Sequence, residues 1–198
     1  MTKTRIRMAT LDDAARLQEI YTPYVEETNI SFDVVVPTVE EFRGSMQEIL
    51  NEFPYLVYEK DGQIYGYAYA HKCFVRAAYS WDAEMTVYLA HGEHGRGVGS
   101  ALYGALIEFL EALEYKNLYA VITAENMESR RFHEKNGFRL FAIFRKTGWK
   151  HGTWLDVAWY ERQLGTLEDA PTPTRSIRSL SQDFIDETCA RFTELLRQ

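Results

Sequence analysis

The apolar positions in the first quarter of the chain recur mainly at helical spacing. A short alternating run at residues 5–9 predicts a strand, and Thr10, with an aspartate three residues on, resembles an N-terminal cap before DDAARLQEIYTPYVEET. We expect Pro23 to end that helix, because proline lacks the backbone N–H. A second cap, Thr38 with Glu41, opens VEEFRGSMQEILNE, whose apolar residues also repeat at helical spacing.

The period changes to two from the YLVYEK stretch onward. This stretch and QIYGYAYAH flank Asp61-Gly62, a dipeptide suited to the positive φ angles of a hairpin turn, which predicts two antiparallel strands. A third strand, WDAEMTVYLA, leads into a glycine-rich turn and a helix that we expect to reach about Tyr115. The strand LYAVITAE follows, and then a helix that Asn126 caps and Gly137 ends.

Two further strand-like runs, FRLFAIFRK and TWLDVAWYE, close the main domain around a turn expected at Gly148 to Gly152. The composition then shifts to GTLEDAPTPTRS, which predicts a linker, so we divide the chain into a domain at 1–164 and an appendage at 165–198. The appendage ends in an amphipathic helix. Its apolar stripe comprises Phe184, Ile185, Cys189, Phe192, Leu195 and Leu196. Such a stripe packs on its own domain, at a dimer interface or over the active site as a lid.

Composition narrows the class of protein. With 198 residues and 46% hydrophobic content, the chain is long enough for one sizeable core. A net charge of -7, with acidic and basic residues interspersed, argues against nucleic acid or an anionic membrane as the main partner. Cys73 and Cys189 lie far apart without a metal-ligand pattern, so neither a disulfide framework nor a metal site is expected. The absence of a signal-like or membrane-spanning apolar run predicts a cytoplasmic protein.

The stretch HGEHGRGVGSAL connects a strand to a helix, and its glycines allow close approach of a ligand to backbone N–H groups. Phosphate suits such a turn, although a plain connection is also compatible with it. A P-loop would need Lys followed by Ser or Thr after the last glycine, and Gly99 is followed by Ser100-Ala101. A dinucleotide-binding turn would need a third glycine at position 100, and the upstream hairpin suits that fold poorly. The third alternative is a pyrophosphate site for coenzyme A.

The order of strand, glycine turn, long helix, strand, Asn-capped helix and Gly-Phe resembles the GNAT family of acetyl-CoA-dependent N-acetyltransferases. The family's phosphate pattern is matched from His94 to Gly99, except that His94 stands where Gln or Arg is usual. The stretches ISF, WDAEMTVY, NMESRRFHEKNGF and GWKHGTWLDV resemble the phosphinothricin and methionine sulfoximine acetyltransferase group over residues 4 to 164. The resemblance implies an α/β (α+β) GNAT fold with a mixed, mostly antiparallel sheet flanked by helices, here with an added C-terminal helix. It also implies a homodimer, acetyl-CoA as cosubstrate, no metal, and an amino acid analogue as acceptor.

Acetyl transfer needs a base for the amine, and Glu84 on the strand WDAEMTVYL is the first candidate. Strand alternation places Glu84 on the same face as Thr86, and a carboxylate among Trp81, Met85 and the hairpin aromatics would have a raised pKa. In the resembling group the matching glutamate is the proposed base. A histidine matching His133 also occurs in that group, so His133 is the second catalytic candidate, as proton donor or part of the proton path.

The resemblance also implies the binding residues. Acetyl-CoA would pair with backbone groups of one strand and lie on the glycine turn and the Asn-capped helix, through Val87, Leu89, Arg96, Gly97, Gly99, Ser100, Asn126 and Ser129. The acceptor would contact Phe32, Arg76, Tyr79 and Thr86. Arg76 is informative because a guanidinium binds carboxylate or phosphinate oxygens in a fork geometry. Acetylation of a polyamine or a protein amine, and a non-catalytic sensor that only binds coenzyme A, remain alternatives.

Overall fold

The computed structural model describes residues 3–167 and 170–196. Positions 168 and 169 of the linker and the last two positions of the C-terminal segment lie outside the described residues. The strands are β1 (Thr4–Met8), β2 (Tyr55–Lys60), β3 (Gln63–Lys72), β4 (Asp82–Leu89), β5 (Asn117–Thr123), β6 (Arg139–Lys150) and β7 (Thr153–Gln163). The helices are α1 (Ala14–Glu26), α2 (Val39–Glu52), α3 (Val98–Ala112), α4 (Met127–Lys135) and α5 (Gln182–Leu195).

The strands form one seven-stranded sheet in the order β1-β2-β3-β4-β5-β7-β6. The β4–β5 pair is parallel and the other neighbouring pairs are antiparallel, which confirms the predicted mixed sheet. Side chains alternate between its two faces, so that Tyr55 and Val57 of β2 pack with α1 and α2, while Leu56 and Tyr58 pack with α3 and α5. The sheet therefore has a hydrophobic core on each side.

Local sequence signals explain most of the boundaries. Thr38 accepts a hydrogen bond from the N–H of Glu41, whose carboxylate binds the N–H of Thr38, so α2 begins with the predicted capping box. Asp61 and Gly62 have φ angles of 50° and 84°, as a two-residue hairpin turn of primed type requires. Asn126 accepts a hydrogen bond from the N–H of Ser129, 3.0 Å away, and thereby caps α4.

Two boundary predictions differ from the structure, and the first of them is wrong. Helix α1 continues through Pro23 to Glu26, because the proline removes one hydrogen bond near the C-terminal end while the buried Tyr21 and Val25 hold both sides of it in the core. The second is only too wide: the last hairpin turns at His151 and Gly152, inside the predicted range, with φ angles of 47° and 76°, but Gly148 lies within β6.

The C-terminal helix packs on its own domain, which is the first of the three expected places. Ile185 and Cys189 are buried against the sheet and α3, and Phe192 lies on Gly104 of α3. The Thr193 hydroxyl accepts a hydrogen bond from the N–H of Ile6, 2.7 Å away, and so satisfies a backbone group of the edge strand β1. Contrary to expectation, the side chain of Leu195 is exposed.

Candidate active site

A cleft opens where β4 and β5 separate. The two strands pair only over residues 82–84 and 117–119, although β4 continues to Leu89 and β5 to Thr123. Beyond the paired part lies a cavity of about 280 Å³. The walls come from α1, the loop after it, β3, β4, α3, β5 and α4. The predicted site residues that line it are Phe32, Glu84, Thr86, Val87, Asn126, Ser129 and His133.

Glu84 lies on the wall of this cavity at the last paired position of β4, and its side chain is 22% exposed. Burial raises the pKa of the Glu84 carboxyl, and the imidazole of His71, whose Nε2 lies 3.9 Å from Oε1, lowers it by a smaller amount. Met85 and Tyr69 line the cavity with it, as expected. Trp81 does not, because its indole N–H donates to the carbonyl of Thr172 in the tail. A half-buried carboxylate with a raised pKa suits a general base.

His133 is buried on α4 and lies against the aromatic ring of Tyr103 from α3. Burial lowers the pKa of His133 to about 4, so the imidazole is neutral at pH 7. Nδ1 lies 2.7 Å from the carbonyl oxygen of Ser129, and with the proton there, Nε2 accepts from the Tyr103 hydroxyl at 2.9 Å. The imidazole is thus held in one orientation beside a phenol that also lines the cavity.

The glycine turn leads directly into α3. Gly97 has a φ of 82° and is the N-cap of the helix, where it offers no side chain to the first N–H groups. A Cβ on Gly99 would lie 3.0 Å from the ring of Phe132, so this glycine allows α3 and α4 to approach closely. The N–H groups of the first turn and the positive end of the helix dipole therefore remain available for an anion.

The unusual His94 of this turn has a partner on α1. Its Nε2 lies 3.2 Å from the hydroxyl of Tyr24, which donates to the carbonyl oxygen of Leu89 at 2.6 Å. The N–H of Leu89 is 3.4 Å from the same hydroxyl. His94 therefore connects the turn to the end of β4 through a tyrosine that the sequence motif does not include.

The remaining residues predicted for the cofactor lie along one path. Val87 lines the cavity, Leu89 ends β4, and Ser100 lies in the first turn of α3 with its hydroxyl 3.4 Å from the Asn136 amide. Arg96 is largely exposed and forms an ion pair with Glu93 at 3.8 Å. The fold thus brings the strand end, the turn and the start of α4 to one end of the cleft.

The loop between α1 and α2 forms the opposite wall. The ring of Phe32 packs against Gly148, where a Cβ would lie 3.0 Å from its Cε1 atom. The buried ammonium of Lys150 donates to the carbonyl of Ser31 at 2.7 Å, and the Tyr21 hydroxyl donates to Asp33 at 2.7 Å. The hairpin of β6 and β7 therefore holds the loop in place over the cavity, which explains why glycine is needed at position 148.

Arg76 and Tyr79 are not brought into the cavity. Both lie in the exposed segment between β3 and β4, where the ring of Tyr79 contacts Phe74. Their predicted contact with the acceptor stays a prediction. The residues that sequence reasoning missed are His71, Tyr103 and Tyr24, and the identification of each depends on the packing of elements far apart in the chain.

The diverging strands, the glycine turn and the half-buried carboxylate together fit an acyltransferase whose helix N-terminus is available to an anion. The sequence model of the family described as the acetyltransferase (GNAT) domain matches residues 6–159, and the chain belongs to this family. A phosphinothricin N-acetyltransferase of Streptomyces viridochromogenes is 35% identical over 89% of this chain and 94% of its own length. An L-methionine sulfoximine/L-methionine sulfone acetyltransferase of Salmonella typhimurium is 30% identical over 80% and 94%. A phosphinothricin acetyltransferase from Sinorhizobium meliloti, solved in complex with acetyl-CoA, has a TM-score of 0.81 and 32% identity over 92% and 97% of the two chains.

Two features are absent from the part of the chain that the structure describes. Within residues 3–167 and 170–196, no group of three or more His, Cys, Asp or Glu side chains could hold a metal ion. Over the same residues no helix is long and apolar enough to span a membrane.

Proposed function

We propose that this protein transfers acetyl from acetyl-CoA to the α-amine of a small amino acid analogue of the phosphinothricin, methionine sulfoximine or methionine sulfone type. The observation that carries the proposal is the half-buried carboxylate of Glu84, which has a raised pKa and lines the cleft between β4 and β5, on the strand that leads into the glycine turn. The names of the similar proteins support this class of acceptor.

Acetyl-CoA would bind with its pyrophosphate on Arg96, Gly97, Gly99 and Ser100, at the start of α3. Its pantetheine arm would pair with the backbone of Val87 and Leu89, where β4 has separated from β5. Asn126 and Ser129 would contact the arm from α4, in addition to their capping hydrogen bond.

In this arrangement the amine attacks the thioester carbonyl in a ternary complex. The N–H of Leu89 would stabilise the developing oxyanion, and Glu84 would take a proton from the amine, directly or through a water. The C–N bond forms, the C–S bond breaks, and the departing thiolate takes a proton. His133 is neutral at pH 7 because its pKa is about 4, which supports a place in the proton path through Tyr103 in preference to direct donation by an imidazolium.

Phe32 and Thr86 would line the acceptor pocket, since both border the cavity. For Arg76 and Tyr79 we propose contact with the acceptor in the assembled enzyme. Their segment adjoins an exposed apolar surface on β6 and β7, which we call the aromatic face. Its exposed residues are Tyr79, Phe141 and Phe144, whose rings contact Phe74 or Trp159, and these two rings stack on each other.

We infer that the aromatic face is covered by a second copy of the chain in a homodimer. β6 is an edge strand whose residues are almost all exposed, which a monomer avoids. Light scattering on the wild-type protein should give the mass of two chains. The variant Phe141→Glu should have the mass of one chain, whereas the control Lys146→Glu on the same strand should remain dimeric. A wild-type monomer at micromolar concentration would refute the assembly.

We also infer a cytoplasmic enzyme, since Cys73 and Cys189 are both free thiols.

The decisive assay is release of CoA thiol with phosphinothricin, methionine sulfoximine, methionine sulfone, spermidine and a short peptide as acceptors. Wild type should turn over the amino acid analogues, and Glu84→Gln should lower kcat by about 10²-fold to 10⁴-fold, the usual contribution of a general base. Glu48→Gln, which changes an exposed carboxylate on α2, is the matched control and should leave the rate unchanged.

Turnover confined to spermidine or the peptide would refute the acceptor class while retaining the cofactor site. Binding of acetyl-CoA without turnover of any amine in the panel would refute the proposed reaction and favour a sensor.

A further inference from the structure

His71 and Glu84 lie directly opposite each other in the antiparallel register of β3 and β4. Directly opposed side chains share a face of the sheet, and both residues line the cavity. The imidazole Nε2 is 3.9 Å from the carboxylate Oε1, and the other side of the histidine ring lies near Tyr69. The candidate base thus faces an imidazole that neither the glycine motif nor the cap motif contains.

The proposed reaction releases one proton for each amine that arrives as an ammonium ion. The amine nitrogen gains the acetyl carbon, the thiolate leaves with one proton as the free thiol, and the other proton must go to solvent. Glu84 receives that proton in a cavity and has to lose it before the next turnover. A route from its carboxylate to solvent is therefore part of the cycle.

The other titratable groups around Glu84 are poorly suited to accept a proton. Burial raises the pKa of Tyr69 and of Cys73 to about 12, and that of Tyr103 also rises, so all three already hold protons at neutral pH. His133 is buried, and its nitrogens face Ser129 and Tyr103. On the far wall, Asp33 accepts from Tyr21.

His71 has the geometry for this task. Its side chain is 34% exposed, so the ring faces Glu84 on one side and solvent on the other. Nδ1 lies 3.2 Å from the carbonyl oxygen of Lys72, and with the proton on Nδ1 the lone pair of Nε2 points toward Glu84. The distance of 3.9 Å exceeds a direct hydrogen bond, so one water or a small ring rotation completes the path.

We propose that His71 is a positioning residue for acetyl transfer that acts through Glu84, receiving the proton that Glu84 takes from the amine and releasing it to solvent. This inference rests on the proposed function.

The test compares His71→Gln, His71→Ala and the control Lys72→Gln, which removes a charge from the adjacent exposed position of the same strand. In both His71 variants kcat should fall by about tenfold, below the usual range for loss of a general base because water partly replaces the imidazole, with KM for acetyl-CoA unchanged. Added imidazole should restore part of the rate of His71→Ala. The acidic limb of the rate profile should move to higher pH, because the His71 charge lowers the pKa of Glu84.

Rate profiles of His71→Gln that coincide with those of Lys72→Gln, together with no response of His71→Ala to imidazole, would overturn the inference. If His71→Ala fails to fold, the test rests on His71→Gln, through the dependence of its kcat on pH and on buffer concentration. If wild type is active and the rate of His71→Gln is unaffected, only the proton transfer through His71 is refuted. If wild type is inactive, the proposed function is refuted and the proton transfer with it.

Discussion

A pair of substitutions at the contact between α3 and α5 tests the packing of the C-terminal helix. A Cβ added to Gly104 would lie 2.3 Å from Cε1 of Phe192, a distance that van der Waals radii do not permit. Gly104→Ala should therefore be unfavourable while Phe192 is present. In the background of Phe192→Ala the same methyl group has room, and the sign of its effect should reverse.

The magnitudes follow from three contributions. Overpacking costs about 1 to 3 kcal/mol, whereas alanine in place of glycine inside a helix gains about 1 kcal/mol. Gly104→Ala should thus lower the free energy of unfolding by about 0 to 2 kcal/mol in wild type and raise it by up to about 1 kcal/mol in the Phe192→Ala background. Phe192 is only partly buried, so Phe192→Ala alone should cost about 2 to 3 kcal/mol, below the range for a fully buried phenylalanine.

Urea denaturation followed by circular dichroism at fixed protein concentration measures all four members of the cycle. We expect a coupling free energy of about 1 to 3 kcal/mol with unchanged m-values. Phe184→Ala is the control, because Phe184 packs against Phe109 at another part of the same helix interface and should be additive with Gly104→Ala. An equal effect of Gly104→Ala in both backgrounds would refute the packing of Phe192 on α3.

Three further predictions concern the candidate site. Glu84→Gln should retain acetyl-CoA binding and raise the melting temperature in differential scanning fluorimetry, because burial disfavours the ionised carboxylate at neutral pH; a lower melting temperature would contradict this. Gly97→Ala should raise KM for acetyl-CoA about tenfold in initial-rate measurements, since a φ of 82° strains alanine in the cofactor turn; an unchanged KM would contradict it. His133 has a folded-state pKa of about 4 against 6.5 for an unperturbed histidine, so the unfolded state binds more protons between these values and stability is lost as pH falls through them. His133→Gln should therefore lose less stability than wild type between pH 7 and 5 in urea denaturation, and equal losses would refute the assignment.

Local chemistry made most of the fold predictable. The capping box at Thr38 and the Asp61-Gly62 turn act within four residues, so their outcome depends little on the rest of the chain. Pro23 was misjudged because burial of neighbouring side chains in the core outweighs the loss of one hydrogen bond near a helix end. The predicted turn between β6 and β7 is too wide because Gly148 makes room for Phe32, and a sequence does not distinguish a glycine that turns from one that makes room.

The candidate site has two halves, and only one of them can be predicted from local sequence motifs. Backbone groups form the half that we propose binds the cofactor: the separated end of β4, the glycine turn and the start of α3 follow one another along the chain, so a local motif predicts them. The other half, where we propose that the acceptor binds and the proton leaves, is formed by side chains from elements that are far apart in the chain. Glu84 is predictable from its strand, but its pairing with His71 depends on the register of β3 and β4 across an irregular segment of nine residues, 73–81. The contact of Tyr103 with His133 likewise requires the helices α3 and α4 to meet.

Substrate choice depends on the side-chain half of the candidate site. Substitutions in the acceptor walls leave the backbone cradle intact, so chains with the same glycine turn can accept different amines while they bind the same cofactor. In this chain the loop carrying Phe32 is held by Lys150 and packed on Gly148, so the shape of the proposed acceptor wall depends on the β6–β7 hairpin. That hairpin also carries most of the aromatic face. Assembly through the aromatic face would therefore stabilise the element that holds the acceptor wall, which couples the proposed dimer to the acceptor half of the site and leaves the cofactor half independent of it.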